Sequence, residues 1–160
     1  MTGGTGGTSF SNSGGNGSAA GAGLFLNGGT VNMTVGSANT NTISGDIADA
    51  GQESTANQGA ITKTGVGTLV LSGDSSGQYG YSGGTTVQAG TLQAANNGAL
   101  GHGGVTVNNG ATLNVINGIT INNAAKLNGG TLQGTGTAAV SGNVTWGPAA
   151  FSMPPPAVTS

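Results

Sequence analysis

Short clusters of alternating apolar and polar residues begin at residue 24 and recur along most of the chain. In the first stretch the apolar positions are Leu24, Leu26, Val31, Met33, Val35, Ile43 and Ile47. Alternation with a period of two is typical of β-strands that bury one face. Helix is disfavoured because glycine, asparagine, threonine and serine dominate and good helix formers are sparse. The pattern predicts an all-β chain of short, half-buried strands.

From residue 61 onward the clusters become a repeat with a period of about 20 residues, as in stacked repeat architectures. Three segments align, TTVQAGTLQ at 85–93, VTVNNGATLN at 105–114 and AKLNGGTLQG at 125–134. The recurring apolar positions are Val87, Val107 and Leu127, followed by Leu92, Leu113 and Leu132. A fixed period with such short strands predicts a coil whose turns stack in parallel, about 4.8 Å apart. These six residues are expected to form inward ladders, a ladder being the residues that occupy one position on successive turns.

The polar positions beside these ladders keep the same spacing. Gln88, Asn108 and Asn128 follow each other at that interval and are expected to stack as a hydrogen-bonding amide ladder. Threonines also recur next to the apolar positions, at Thr86, Thr106, Thr91, Thr112 and Thr131. Flat threonine arrays can order water at ice, which makes ice binding a minor alternative function. Solvation of an ordinary β-surface explains the same residues more simply.

The architecture follows from the period. Residues 24–146 at about 20 residues per turn predict a β-solenoid, or parallel β-helix, of about six rungs. Its corners need positive φ, which Asn-Gly pairs supply, although Asn-Gly also marks the hairpins of an antiparallel meander or sandwich. Residues 1–23 are a Gly-rich leader and a candidate intersubunit segment. Residues 147–160 are a Pro-rich tail, expected to be a cap or an intersubunit contact.

Charge is nearly absent, with two basic and four acidic residues in 160 and a net charge of -2. Two lysines provide no basic patch for a phosphate backbone, so nucleic-acid binding is not expected. No stretch approaches the roughly 18 to 20 apolar residues that a membrane span needs, so membrane insertion is not expected. The chain has no cysteine, which excludes disulfides and thiol chemistry.

Candidate chemistry is sparse. The single histidine, His102, could in principle join Asp74 and a serine in a hydrolytic triad, but no nucleophile-elbow sequence is present and a solvent-facing corner is the simpler interpretation. Asp46, Asp49 and Glu53 could in principle offer oxygen ligands to calcium, but a polar loop is the simpler interpretation. The sequence therefore predicts no enzyme, no catalytic residue, no metal site and no cofactor.

Residues 65–115 resemble the autotransporter-associated β-strand repeat. GTLVLSG, YSGGTTV, AGTLQA, an ALGxGxVTV stretch and NGATL occur there in the order typical of that family. The resemblance implies a right-handed parallel β-helix exported to the bacterial cell surface, usually within a larger autotransporter or adhesin. It implies no activity.

The ends of the predicted stack bear on assembly. An uncapped solenoid exposes unpaired backbone groups at both terminal rungs, and this chain has few charges to discourage pairing there. We expect head-to-tail stacking of subunits into a filament, with other cell-surface components as alternative partners. The candidate assembly or cap residues are Phe10, Trp146, Phe151, Pro154, Pro155 and Pro156. The predicted function is an extracellular structural or adhesive solenoid, the alternative being a passenger fragment of a larger adhesin.

Overall fold

The computed structural model describes residues 23–49 and 57–147, which form short strands and no helix. The strands are β1 (Leu24–Phe25), β2 (Gly29–Thr34), β3 (Thr40–Ile43), β4 (Ile47–Ala48), β5 (Gly59–Thr64), β6 (Thr68–Leu71), β7 (Thr85–Val87), β8 (Thr91–Ala94), β9 (Val105–Asn108), β10 (Thr112–Val115), β11 (Thr120–Ile121), β12 (Ala125–Asn128), β13 (Thr131–Gly134), β14 (Ala139–Val140) and β15 (Val144–Trp146). Most have two to four residues, because a glycine or asparagine corner interrupts each one.

The strands stack as two main parallel sheets. Sheet 1 has the order β15-β12-β9-β7-β5-β2, and sheet 2 has the order β13-β10-β8-β6-β3. Two further pairs, β1 with β4 and β11 with β14, are also parallel. Every strand therefore pairs with a strand one turn away along the chain. The predicted all-β parallel β-helix of about six rungs is confirmed, and the antiparallel meander is excluded.

Four ladders of side chains point into the coil. Sheet 1 contributes Val31, Ile61, Thr85, Val105, Ala125 and Val144, and beside them Met33, Lys63, Val87, Val107, Leu127 and Trp146. Sheet 2 contributes Asn41, Leu69, Leu92, Leu113 and Leu132, and beside them Ile43, Leu71, Ala94, Val115 and Gly134. Their middle members are almost fully buried and form a single core cluster. Apolar burial along the axis therefore stabilises the stack.

The rungs differ in length. One inward ladder of sheet 1 occupies positions 31, 61, 85, 105, 125 and 144. The first two steps along this ladder are the longest, whereas the last three are nearly equal. The number of rungs matches the prediction, but the constant period holds only for the C-terminal half.

A buried carboxylate connects the two longer rungs. Asp49 is fully buried, and its Oδ2 accepts hydrogen bonds from the Gly59 N–H at 2.9 Å, the Ser82 N–H at 2.8 Å and the Ser82 hydroxyl at 2.9 Å. The Asp49 N–H donates to the carbonyl of Tyr79 at 2.8 Å. One side chain therefore connects its own turn to the following one, because charge-assisted hydrogen bonds are strong in a buried setting.

Glycine is required where the corners approach each other. Gly90 has φ of 68°, and a Cβ placed on it would lie 2.5 Å from the carbonyl oxygens of Gly65 and Gly67 on the preceding turn. Any other residue at position 90 meets both a strained backbone and a clash.

Several predictions fall outside the described residues. These are nearly all of the 1–23 leader and the 147–160 tail, together with Phe10, Glu53, Phe151 and Pro154 to Pro156. Within the described residues there is no helix of the length and apolarity needed to cross a membrane.

Candidate functional site

The outward face of sheet 2 carries an unbroken threonine ladder. Its members are Thr40, Thr68, Thr91, Thr112 and Thr131, each paired in register with the next. The middle three are half-buried and the two terminal ones are exposed. β-branched threonine suits a pleated surface, and its hydroxyl remains available to solvent or a ligand. The face is therefore a regular row of hydroxyl groups.

A second outward ladder runs beside the threonines and becomes an amide ladder toward the C-terminal end. It consists of Thr42, Val70, Gln93, Asn114 and Gln133. The Nδ2 of Asn114 donates to the Oε1 of Gln93 at 3.2 Å. The Oδ1 of Asn114 is buried and has no hydrogen-bond partner in the described part of the chain. The amides project further than the threonine hydroxyls, so sheet 2 offers both short and long polar groups.

The outward face of sheet 1 is also rich in threonine, but it is less uniform. Its outward ladder is Asn32, Thr62, Thr86, Thr106, Lys126 and Thr145. At its N-terminal end the hydroxyls of Thr34 and Thr64 share a hydrogen bond of 2.7 Å. Lys126 interrupts the row with an exposed charge, so sheet 2 has the more regular surface.

The six predicted ladder residues occupy inward positions. Val87, Val107 and Leu127 lie on one ladder, and Leu92, Leu113 and Leu132 lie on another. Five of them are at most 2% exposed, whereas Leu132 in the last rung is half-buried.

The predicted amide ladder is present only at its C-terminal end. Asn108 and Asn128 are in register, and the Nδ2 of Asn128 lies 3.5 Å from the Oδ1 of Asn108. Gln88 follows the end of β7 and is exposed. The stronger amide contact in the structure is the one between Asn114 and Gln93, which the spacing argument did not single out.

The candidate catalytic groups are engaged in local hydrogen bonds. The exposed His102 donates from Nε2 to the carbonyl of Gly77 at 2.8 Å. Asp74 Oδ1 accepts from the Ser76 hydroxyl at 2.5 Å and from the Ser76 N–H at 3.0 Å, and these bonds hold the pKa of Asp74 below its usual value. Both residues therefore fix the corner segment between β6 and β7, and among the described residues no carboxylate hydrogen-bonds the histidine to orient it as a base.

The candidate calcium ligands are likewise structural. Asp49 is occupied by the hydrogen bonds described above, and Asp46 Oδ1 accepts from the Asp74 N–H at 3.1 Å. Across residues 23–49 and 57–147 no group of three or more His, Cys, Asp or Glu side chains is placed to hold a metal ion.

Sequence reasoning missed a buried lysine on an inward ladder. Lys63 is fully buried between Met33 and Val87, and its ammonium donates to the carbonyls of Thr64 at 2.9 Å, Gly65 at 2.7 Å and Ala89 at 3.1 Å. Desolvation by burial lowers the pKa of Lys63 from its usual value. The sequence held one indication of this placement, because Lys63 follows Ile61 by two positions in ITKTG and so lies on the same face of the strand. Its charge, however, argues against an inward position.

Two other buried polar contacts, one of Asn123 and one between Tyr81 and Thr85, were also missed. Asn123 donates from Nδ2 to the carbonyls of Gly101 at 2.9 Å and Gly103 at 2.8 Å. The hydroxyls of Tyr81 and Thr85 share a buried hydrogen bond of 2.8 Å, and burial raises the pKa of Tyr81. Each satisfies polar groups at a corner, and neither faces solvent.

The C-terminal end of the stack is open. Trp146 lies in register with Leu127, yet 78% of it is exposed because no described rung covers it. Beside it is a depression of about 390 Å³, lined by Val115, Leu132, Gln133, Gly134, Ala138, Ala139, Val140 and Val144. Core residues thus reach the surface at this end.

The fold and the repeat together define the class of the protein. Residues 61–94 match the family described as the passenger-associated transport repeat, so the chain carries an autotransporter passenger repeat within a parallel β-helix. The predicted resemblance is confirmed. Over 115 residues, 70% of the chain, the sequence is 37% identical to a protein of Brucella suis biovar 1 (strain 1330) described as "Adhesin BmaC autotransporter". The chain covers 3% of the length of that relative. No solved structure matches the chain.

Proposed function

We propose that this chain is an adhesive segment of a bacterial cell-surface passenger protein, and that it acts by presenting a regular polar surface without catalysing a reaction. The main support is the outward face of sheet 2, where five in-register threonines run beside an amide ladder. Similarity to a protein described as an autotransporter adhesin supports an extracellular role. The local hydrogen bonds of His102 and Asp74 support the absence of catalysis.

Sheet 2 is the better candidate for the adhesive face. A flat array of hydroxyl and amide groups forms many weak, repeated hydrogen bonds, so affinity comes from multivalency along the stack. Sheet 1 lacks this regularity because Lys126 interrupts it.

The test is retention of beads coated with the chain on epithelial cell monolayers, compared with albumin-coated beads. Thr91→Lys combined with Thr112→Lys places two charges at the centre of sheet 2 and is expected to abolish retention. Thr86→Lys combined with Thr106→Lys is the matched control on sheet 1 and is expected to retain it, with circular dichroism verifying the fold of both. Equal retention of both variants, or of albumin beads, would refute the assignment. Antibody labelling of intact source cells tests the surface location.

A second candidate is head-to-tail self-assembly into a surface or matrix filament. The exposed Trp146 favours it, as do the outer edges of β13 and β15, which no other described strand pairs with, because open edges template further pairing. Electron microscopy of the purified chain over a range of concentrations tests it. Filaments are expected, and a monomer at every concentration would exclude them.

Ice binding remains the minor alternative. The threonine ladder favours it, whereas the longer amide side chains of Gln93, Asn114 and Gln133 interrupt a flat hydroxyl plane. Thermal hysteresis of the purified chain is the direct measurement, and none is expected.

A further inference from the structure

The five strands of sheet 2 carry no charged side chain. Their sequences, in the order β3, β6, β8, β10 and β13, are TNTI, TLVL, TLQA, TLNV and TLQG. Sheet 1, by contrast, has the exposed Lys126 on its outward face. A second copy would bring the same charge to the same interface, and like charges that meet across an interface are destabilising. Sheet 2 is therefore the face that can pair with itself without repulsion.

The two outward ladders of sheet 2 differ in height over its last three strands. Each threonine there is followed, two residues further along the strand, by a longer side chain that ends in an amide. The two ladders are about 6.6 Å apart along the strand. We call the longer side chains the amide ridge and the threonines beside them the threonine groove. The ridge consists of Gln93, Asn114 and Gln133, and the groove consists of Thr91, Thr112 and Thr131.

A two-fold axis parallel to the solenoid axis makes this surface complementary to itself. The rotation places each amide ridge over the threonine groove of the second copy and keeps the rungs level. Asn114 then faces Thr112 of the second copy, and Gln93 faces Thr91. Amide and hydroxyl groups both donate and accept hydrogen bonds, so each facing pair can form one. A two-fold axis along the strands would instead set ridge against ridge, so the parallel arrangement of the two solenoids is the favoured one.

The amide ridge is ordered before any second copy binds. The Nδ2 of Asn114 donates to the Oε1 of Gln93 at 3.2 Å, and both residues are half-buried. Side chains that are already held in place lose less conformational entropy when a complex forms. Stacked amide ladders also form tightly interdigitated contacts between facing sheets in cross-β assemblies. The geometry of the ridge is therefore suited to a facing sheet.

The size of the surface decides how strongly two copies bind. Five strands at about 4.8 Å spacing form a patch about 20 Å long and only two ladders wide. A stable complex buries roughly 800 Å² per partner, which exceeds the area of this patch. A single pair of copies therefore binds weakly, and the association becomes strong only where many copies meet many others.

We propose that the outward face of sheet 2 binds the same face of a second copy of this chain, in parallel, with each amide ridge in the threonine groove of the other copy. The proposal names the partner of the adhesive face, and it rests on the adhesive function proposed for sheet 2. The contact is lateral and leaves both ends of the stack free.

Beads of two colours, coated densely with the full chain, test the contact by the number of mixed-colour clusters in flow cytometry. Unmodified beads are expected to form at least tenfold more clusters than albumin-coated beads. Thr91→Lys combined with Thr112→Lys fills the groove with charge and is expected to reduce clustering to the albumin level, with circular dichroism verifying the fold. Clustering of unmodified beads at the albumin level, or undiminished clustering of the lysine variant, would overturn the proposal.

A charge exchange tests which ladders face each other. Gln93→Glu combined with Asn114→Glu is expected to abolish clustering of beads that all carry this variant. Mixed with the lysine beads, the same variant should restore clustering at least tenfold, because each lysine then faces a glutamate, and high salt should weaken the effect. Thr86→Glu combined with Thr106→Glu is the matched control, since it adds the same charge to sheet 1 and should not cluster with the lysine beads. Equal clustering of the lysine beads with both acidic variants contradicts the proposed contact.

Retention on epithelial cell monolayers, measured on the same beads, separates this proposal from the adhesive function. Retention without bead clustering leaves the adhesive function standing and overturns the binding of a second copy. Clustering without retention supports the binding of a second copy and refutes adhesion to the epithelial surface.

Discussion

Truncation of the leucine ladder in sheet 2 is the most direct test of the stack. Leu92 and Leu113 are both 0% exposed and lie opposite each other on successive rungs. Replacing either by alanine removes three carbon atoms, worth about 2.4 kcal/mol at about 0.8 kcal/mol per methylene. The residual cavity raises the expected loss in the free energy of unfolding to about 3 to 4 kcal/mol.

The matched controls are the neighbours that face outward on the same strands. Thr91→Ala and Thr112→Ala change residues one position away from each leucine, and each is expected to cost about 0.5 kcal/mol or less. The assay is equilibrium unfolding in urea followed by circular dichroism. Because a solenoid can unfold rung by rung, hydrogen exchange of β8 and β10 should accompany it. A Leu113→Ala loss no larger than the Thr112→Ala loss would refute the assigned alternation.

A variant with both leucines replaced tests whether Leu92 and Leu113 contact each other along the axis or are only buried in the same core. Leu92 and Leu113 touch only if β8 and β10 occupy adjacent rungs, so Leu92→Ala and Leu113→Ala together should deviate from additivity by about 0.5 kcal/mol or more. Leu69→Ala with Leu113→Ala joins positions two rungs apart, about 9.6 Å, and should be additive. Additive behaviour of the adjacent pair would argue against direct contact along the axis.

Three further predictions concern buried polar groups. Lys63→Ala removes an ammonium that satisfies three carbonyls and should cost about 2 to 4 kcal/mol in urea unfolding, whereas the exposed Lys126→Ala should change stability by less than about 0.5 kcal/mol. Asp49→Ala leaves two backbone N–H groups without their carboxylate and should cost about 2 to 6 kcal/mol, measured in the same way. Since burial raises the pKa of Tyr81, its neutral form is favoured in the folded protein, and its contribution to stability is complete below the unfolded pKa of about 10 and is lost as pH rises above that value. Alkaline urea titrations should show a smaller fall in stability for Tyr81→Phe than for the exposed control Tyr79→Phe.

The sequence was informative where the repeat is regular. Between positions 85 and 134 the same apolar positions recur at nearly constant intervals, so the inward ladders could be predicted from spacing alone. Upstream, the steps from Val31 to Ile61 and from Ile61 to Thr85 are longer, so there is no constant spacing there from which the inward positions could be predicted. The register there depends on the hydrogen bonds that Asp49 accepts from Gly59 and Ser82. Such a contact between distant segments produces no repeating pattern in the sequence.

Lys63 shows a second limit of pattern reading. The alternation of residues along the strand predicts that its side chain faces inward, whereas its low hydrophobicity predicts that the side chain faces solvent. The sequence offers no means of deciding between these two predictions. The decision comes from corner geometry, because three carbonyls converge where the ammonium can reach them while the stem packs beside Met33 and Val87. A long basic side chain can bury its methylenes and still satisfy its charge in this way.

The two ends of the stack differ, and the difference gives assembly a direction. One inward ladder begins in the first rung with Met33, which is 0% exposed, and ends in the last rung with Trp146, which is 78% exposed. The first rung is covered because the segment around β1 brings Leu26 into the same core cluster. The last described rung has no such cover, so burying its apolar residues is favourable for any strand that pairs there. A following rung or a second subunit would gain that burial at the C-terminal end, whereas the N-terminal end of the described stack offers mainly a backbone edge. Extension of this solenoid is therefore expected to proceed from β13 and β15, where pairing buries apolar side chains as well as backbone groups.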